Sequence, residues 1–292
     1  MISDYSHLKI VFLGNPEFAL PALEALVKEN YQIAGVITAS DKPVGRKHIL
    51  TPPPVKVLAQ KHGLAVYQPK DKAELLEIIK NLQPDVAVVA AFGMIFSKEV
   101  LNISKYGFIN IHPSLLPRYR GPTPIQSAIL NGDEETGVSL FLIDEEIDHG
   151  PILAKSEIQI LKSETYESLH DKLAKLGAEL LIKVLPSMEA IRSTKTFEPQ
   201  DESQATYTKK FSTQDAYIEP LDLEKAINEG GEIAIQIDRK IRALNPEPGV
   251  WTTMTITMTM TKRMKILEAT LTPENKLKLK KIQFEGKKPV EI

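Results

Sequence analysis

Two stretches of this chain leave little freedom about its architecture. Leu8-Lys-Ile-Val-Phe-Leu13 and Asp85-Val-Ala-Val-Val-Ala-Ala91 are short, almost continuously apolar runs. Runs of that length and character are strands covered on both faces, the habit of parallel sheets. Further strands are predicted over 33–38, 107–112 and 137–143. Helical spacing separates them at 17–28, 55–62, 71–81 and 125–130. Strands alternating with helices in this way define an α/β fold, a Rossmann-like, mainly parallel sheet with helices on both faces. A longer amphipathic helix over 165–188 follows, started by Ser163 or Thr165 as the cap.

The character changes between residues 190 and 210, where Ser193, Thr194, Lys195, Pro199, Asp201 and Ser203 form a polar stretch. Beyond it the spacing predicts helices over 223–229 and 232–244. Asn245-Pro-Glu-Pro-Gly249 then makes a hard turn, and β patterns follow over 252–260, 264–269 and 277–284. A small, OB-like β-barrel closes the edges of such strands most economically. The organisation expected is therefore a first domain over 1–190, a linker over 191–209 and a C-terminal barrel domain over 210–292.

Composition narrows the classes. The 292 residues are 42% hydrophobic and 25% charged with a formal net charge of -2, and none is cysteine. Disulfides, thiolate nucleophiles and sulfur-ligated zinc are thereby excluded. No window approaches the roughly 18 apolar residues of a membrane span. Asp4 and His7 precede an apolar run too short for a secretory segment, so a cytoplasmic protein without membrane attachment is expected. The charge is uneven along the chain. Lys262, Arg263, Lys265, Lys276, Lys278, Lys280, Lys281, Lys287 and Lys288 face only Glu268, Glu274 and Glu285 between residues 262 and 288. Such a surplus is either a solvated sheet face or a contact for a polyanion.

The chemistry concentrates in Phe108-Ile-Asn-Ile-His112-Pro-Ser-Leu-Leu-Pro117. On a strand, Asn110 and His112 leave the same face. Pro113 and Pro117 end the strand, and Arg118, Arg120 and Gly121 decorate the turn after it. In open α/β sheets ligands bind beyond the carboxyl ends of the strands, where both residues fall. The acidic loop Asp144-Glu-Glu-Ile-Asp148-His-Gly150 arrives at the end of the next apolar run. Asn110 can donate to an oxygen that becomes negative in a tetrahedral intermediate, His112 can accept a proton, and Asp148 can orient the imidazole. The plainer alternative makes Asn110 a turn cap, His112 a hydrogen-bonded strand-end residue and Asp148 one acid of many. His112, Asp148 and His149 offer three N/O donors, but sequence neighbours point apart on an extended chain, so no metal is expected. Gly14 lacks the remaining glycines of a dinucleotide fingerprint and reads as a tight turn.

The same residues carry a resemblance. Asn110, His112 to Pro117, Gly121 and Asp148-His-Gly150 resemble the Asn-x-His-Pro-Ser-Leu-Leu-Pro-x-x-x-Gly and Asp-x-Gly signature of 10-formyltetrahydrofolate-dependent formyltransferases. Three further stretches resemble the tRNA-directed branch, the methionyl-tRNA formyltransferases. They are Gly14-Asn-Pro-Glu-Phe18 (with Asn15 where Thr is commoner), Asp41-Lys-Pro-Val-Gly-Arg46 leading to Pro54-Val-Lys56, and Arg242 to Thr252. The resemblance implies Asn110, His112 and Asp148 as catalytic residues and 10-formyltetrahydrofolate as formyl donor. It implies a folate site at Phe92, Gly93, Met94 and Ile95, at Ser114, Leu115, Leu116 and Pro117, and at Asp144. Its acceptor is the methionine amine of initiator methionyl-tRNA, met by Lys42, Arg46 and Lys47 and by the basic strands with Lys262, Arg263, Lys265, Lys280 and Lys281. A monomer serving translation initiation is expected. A sugar-nucleotide formyltransferase and a 10-formyltetrahydrofolate hydrolase share the core and remain as rivals. So does a tRNA-binding protein without activity, which has no need of the Asn-His-Asp set.

Overall fold

The computed structural model describes residues 8–45, 48–190, 197–257 and 260–292. The chain forms two compact units. The first comprises Met1–Arg120, Gly137–Ile158 and His170–Tyr207, the second Gly121–Thr136, Gln159–Leu169 and Thr208–Ile292.

Unit one is built on a seven-stranded sheet of spatial order β5-β2-β1-β6-β7-β8-β9. Its strands are β1 (Lys9–Gly14), β2 (Gln32–Ile37), β5 (Val66–Tyr67), β6 (Val86–Ala90), β7 (Phe108–His112), β8 (Glu135–Leu142) and β9 (Ile152–Gln159). The pairs β2/β5, β1/β2, β1/β6 and β6/β7 are parallel, and β8 runs antiparallel to β7. The Rossmann-like expectation holds, with the antiparallel strand placed directly beside the strand of interest. Every residue of β6 is buried, as its unbroken apolar sequence required. Helix α3 (Lys72–Leu82) packs Leu75 and Ile79 against Val11, Leu13, Ala87, Val89 and Phe108. Asp71 starts that helix by accepting the Glu74 amide at 2.9 Å.

The alternation of β7 sorts its side chains between two environments. Phe108 joins the α3 cluster, and by the two-residue period Asn110 and His112 share its face. Ile111 points the other way, towards helix α6 (Tyr166–Val184), where a β-carbon on Gly177 would sit 2.5 Å from Ile111 Cγ2. The helix approaches this closely because residue 177 has no side chain. Thr165 is the cap: its Oγ1 accepts the Ser168 amide at 3.3 Å, and Ser168 Oγ accepts the Thr165 amide at 3.0 Å. Helix α6 reaches Val184, Leu185–Ser187 tighten into a 3₁₀ turn, and helix resumes over 188–190, so the helical path spans the expected 188 with one interruption. Pro186 explains the interruption, since it has no amide to continue the helix and disfavours helical backbone before it.

Other elements escaped the sequence reading. Strand β9 carries exposed Lys155 and Glu157 in alternation and closes one edge of the sheet. The basic, Pro-rich loop forms a hairpin of β3 (Lys42–Val44) with β4 (Ile49–Thr51), base-tied by Lys56 to Asp41 at 2.8 Å and to Gln68 at 2.9 Å. Helices α1 (Leu20–Lys28), α2 (Pro54–Lys61) and α4 (Lys98–Leu101) complete the described regular structure of unit one.

Unit two contains α5 (Pro124–Asn131), α7 (Pro220–Asn228) and α8 (Glu232–Leu244). Its sheet is antiparallel and four-stranded, from β10 (Trp251–Thr257) through β11 (Met260–Leu271) and β12 (Leu277–Phe284) to β13 (Val290–Glu291). The pattern expected over 252–260 covers most of β10 and the first residue of β11, that over 264–269 lies within β11, and that over 277–284 is β12. Among the described residues the sheet does not close into a barrel, although its order is that of a meander entering one. Asn245 pins the Pro-rich turn, donating to Ile266 O at 2.9 Å and accepting the Val250 amide at 3.0 Å.

Gly177→Val tests the seating of α6 on β7. Overpacking a close contact of this kind costs about 1–3 kcal/mol, so thermal unfolding is expected to begin several degrees lower. An unchanged melting temperature would mean that Gly177 does not lie against Ile111.

Candidate active site

Strand β7 ends at His112, and the chain turns at once. The Ser114 amide donates to His112 O at 2.9 Å, and Ser114 Oγ donates to Arg118 O at 2.7 Å. Ser139, opposite His112 on β8, donates to Ser114 O at 2.7 Å and accepts the Leu116 amide at 3.0 Å. Both serines are fully buried, so the turn is fixed by its own polar groups. Sequence reasoning missed Ser139; its only signal is a hydroxyl in the middle of an apolar strand.

The turn brings the Tyr119 carbonyl to His112. His112 Nε2 lies 3.0 Å from Tyr119 O, and Nδ1 lies 3.6 Å from Asp148 Oδ2. A carbonyl oxygen only accepts, so the proton sits on Nε2 and the lone pair of the neutral ring sits on Nδ1. His112 is 4% exposed, and its unprotonated nitrogen faces the Asp148 carboxylate. Half-buried Asn110 lies two residues earlier on the same face, in register with Val89 and Phe141. Asn110, His112 and Asp148, singled out by residue type, thus come from a strand and a distant loop to one strand end.

Both partners of His112 sit on unusual backbone. Tyr119 has φ 59° and Asp148 φ 49°, the left-handed region that non-glycine residues enter at a cost of about 1–3 kcal/mol. Each is held there by residues 198–207. The Tyr119 amide donates to Thr206 Oγ1 at 2.8 Å, and the Arg120 amide donates to Thr206 O at 2.8 Å. Gln200 Nε2 donates to Asp148 O at 2.9 Å and to Gly150 O at 2.8 Å. Residues 198–207 fall within the stretch whose composition reads as a linker.

Arg120 corrects the sequence reading. It does not decorate the turn: its side chain has no solvent exposure, whereas Arg118 is exposed. Its guanidinium donates to Gln200 Oε1 at 3.0 and 2.8 Å, to both carboxylate oxygens of Glu202, and to the Tyr207 hydroxyl at 3.0 Å. Glu202 holds the Arg120 guanidinium even more firmly charged, and Arg120 holds the Glu202 carboxyl below its usual range. No local pattern separates a buried arginine from an exposed one when its partners lie some 80 residues away.

The acidic loop closes on itself. His149 Nδ1 meets Asp144 Oδ2 at 2.6 Å and Nε2 faces Glu202 at 3.5 Å. The Asp144 hydrogen bond is the main reason that the His149 pKa is raised, against a smaller opposing effect of burial. His149 therefore does not join His112 and Asp148 as a third donor. No group of three or more His, Asp or Glu among the described residues can hold a metal.

The other expected contacts are distributed as follows. Phe92 is buried, its carbonyl accepting from Asn15 Nδ2, while Gly93 and Ile95 are exposed and Met94 is half-buried. Ser114 and Leu116 face inward, leaving Leu115 and Pro117 half-buried. Lys42 is exposed on β3; Arg46 and Lys47 lie outside the described residues. In unit two, Arg263 stacks over Trp251 at 4.1 Å and Lys281 meets Glu268 at 3.7 Å. Lys262 is half-buried on β11. Lys265 and Lys280 line a cleft of about 1190 Å³ with Lys162, Arg239 and Arg242. That cleft includes none of Asn110, His112 and Asp148.

A sheet with helices carrying Asn and His at one strand end, and an Asp loop closing over them, is the plan of a group-transfer enzyme. Residues 8–185 match the formyl transferase family and residues 231–279 its C-terminal domain, and the chain belongs to that family. It is similar to the methionyl-tRNA formyltransferase of Halorhodospira halophila, 45% identical over 242 residues covering 82% of this chain and 74% of that one. It is also similar to that of Dehalococcoides mccartyi (strain BAV1 among its designations), 44% identical over 266 residues, 90% and 79% of the two chains. Among solved structures it resembles an N-formyltransferase from Helicobacter canadensis in complex with folinic acid and dTDP-3-aminofucose. There the TM-score is 0.64 at 24% identity, covering 91% of this chain and 88% of that one. HypX from Aquifex aeolicus with tetrahydrofolic acid gives 0.66 at 15%, covering 98% and 46%. These two likenesses concern the fold.

The His149–Asp144 tie has a signed pH dependence. A raised folded-state pKa gives stability that is fully present below the ordinary value of 6.5 and lost as pH climbs through the raised one. The gap in melting temperature between the wild type and Asp144→Asn is therefore expected to be widest below pH 6.5 and to shrink at higher pH. A gap that is constant or grows with pH would count against the pairing.

Proposed function

We propose that this chain transfers the formyl group of 10-formyltetrahydrofolate to the α-amine of methionine on initiator methionyl-tRNA, the step that prepares it for translation initiation. The observation that carries the chemistry is the meeting of Asn110, His112 and Asp148 at the end of β7, with the lone pair of His112 on the nitrogen facing Asp148. The relatives named for methionyl-tRNA support the acceptor.

The amine nitrogen attacks the formyl carbon. Asn110 donates to the formyl oxygen as it becomes negative, where a fixed dipole is worth most. His112 takes the amine proton on Nδ1, and Asp148 stabilises the imidazolium so formed. The bond from the formyl carbon to N10 of the folate then breaks, and N10 receives the proton as tetrahydrofolate leaves.

The pterin is assigned to residues 92–95 and 114–117 and to Asp144. Ile95 and Ile147, 62% and 55% exposed, supply apolar surface in the same unit. Backbone groups carry most of this contact, since Ser114 and Leu116 turn inward. Lys42, Arg46 and Lys47 of the basic, Pro-rich stretch meet the tRNA, as do Lys262, Arg263, Lys265, Lys280 and Lys281 of the C-terminal unit, through its phosphates. The enzyme works as a cytoplasmic monomer.

Formyl transfer to methionyl initiator tRNA, with uncharged tRNA, methionyl elongator tRNA and an amino-sugar nucleotide as parallel acceptors, tests the reading. Label on the charged initiator alone is the expected result; label on the sugar, or folate turnover without labelled acceptor, would overturn it. His112→Ala is expected to lower kcat by about 10²–10⁴-fold with tRNA affinity unchanged. Arg46→Ala is expected to weaken tRNA binding and flatten its salt dependence.

A further inference from the structure

We propose that Gln200 is a positioning residue for catalysis, acting through Asp148; this rests on the formyl-transfer reading above. Its side-chain amide is used completely and in one orientation. The oxygen accepts from Arg120 Nε and Nη2 at 3.0 and 2.8 Å, and the nitrogen donates to Asp148 O and Gly150 O at 2.9 and 2.8 Å. Arginine only donates and carbonyls only accept, so the reversed amide would lose all four bonds. Gln200 is thus a crossbar between a buried cation and the two peptide groups that bracket His149 and Gly150.

Those peptide groups set where the Asp148 carboxylate points. Asp148 has left-handed backbone at φ 49°, which relaxes unless its surroundings hold it. One neighbour is fixed by space: a β-carbon on Gly150 would lie against Leu142 O and 3.3 Å from the Asp144 amide. The remaining freedom is rotation of the peptides after Asp148 and after Gly150, and Gln200 removes it by holding both oxygens. Arg120 sets the height of the crossbar, and Glu202 and Tyr207 in turn hold Arg120. Gln200 touches no reacting atom in this scheme. It keeps Asp148 Oδ2 within 3.6 Å of His112 Nδ1.

Gln200→Glu separates this role from a general contribution to folding. The carboxylate keeps the acceptor for Arg120 but has no donor for the two carbonyls. Misplacing a catalytic group by about 1 Å can cost on the order of 10²-fold, so kcat is expected to fall by about 10–100-fold. KM for folate and tRNA is expected to stay near wild type, with the melting temperature modestly lowered by the two carbonyls left without a donor. The deciding measurement is the double variant. On an Asp148→Asn background, Gln200→Glu is expected to cost less than about twofold further, because residues acting through one group are non-additive. Gln200→Asn, which keeps the amide on a shorter arm, is the second probe, expected to lose kcat without weakening tRNA binding. Full multiplicative losses in the double variant, a loss appearing in KM or melting temperature alone, or wild-type kcat in both single variants would overturn the role of Gln200. Wild-type enzyme with no formyl transfer in the same assay would instead overturn the functional reading.

Discussion

A buried guanidinium organises unit one. All five N–H groups of Arg120 find acceptors, on Gln200, Glu202 and Tyr207, and the side chain is sealed from water. Burying a cation without such partners is prohibitive, because the charge would lose its water with nothing to replace it. The interaction therefore compels residues 200–207 to lie where they do. Once there, the same segment holds Tyr119 through Thr206 and Asp148 through Gln200. The two groups that face the imidazole are placed by one electrostatic requirement.

That arrangement also fixes the tautomer of His112. Because Tyr119 O claims Nε2–H, basicity is confined to Nδ1 and aimed at Asp148. The sheet contributes by bringing β8 antiparallel beside β7, which sets Ser139 opposite His112 to hold the turn. The imidazole is thus oriented by a neutral hydrogen bond on one side and faces a carboxylate on the other.

Much of this was legible in the sequence, for physical reasons that differ by element. Strand β6 is buried on both faces, so its whole length reads apolar, and the two-residue period alone put Asn110 with His112. The parallel order followed from the helices between strands. What could not be read depends on partners distant in sequence. Strand β9 looks polar because it is an edge, and Arg120 looks exposed because Gln200 and Glu202 lie far along the chain. Residues 198–207 look like a linker because their polar side chains are matched to polar groups elsewhere in unit one, a match that composition does not reveal. Pro186 was visible and tightens the helical path into one 3₁₀ turn before helix resumes over 188–190.

Unit one is assembled from three separate stretches, the last ending at Tyr207. A ribosome delivers Asn110, His112 and Asp148 well before Gln200, Glu202 and Thr206. The nascent chain consequently carries its chemically active side chains for a time with Arg120 still hydrated and Asp148 free to relax. The site is complete only when its last clamp emerges, so vectorial synthesis separates the appearance of Asn110, His112 and Asp148 from the moment they are held in place.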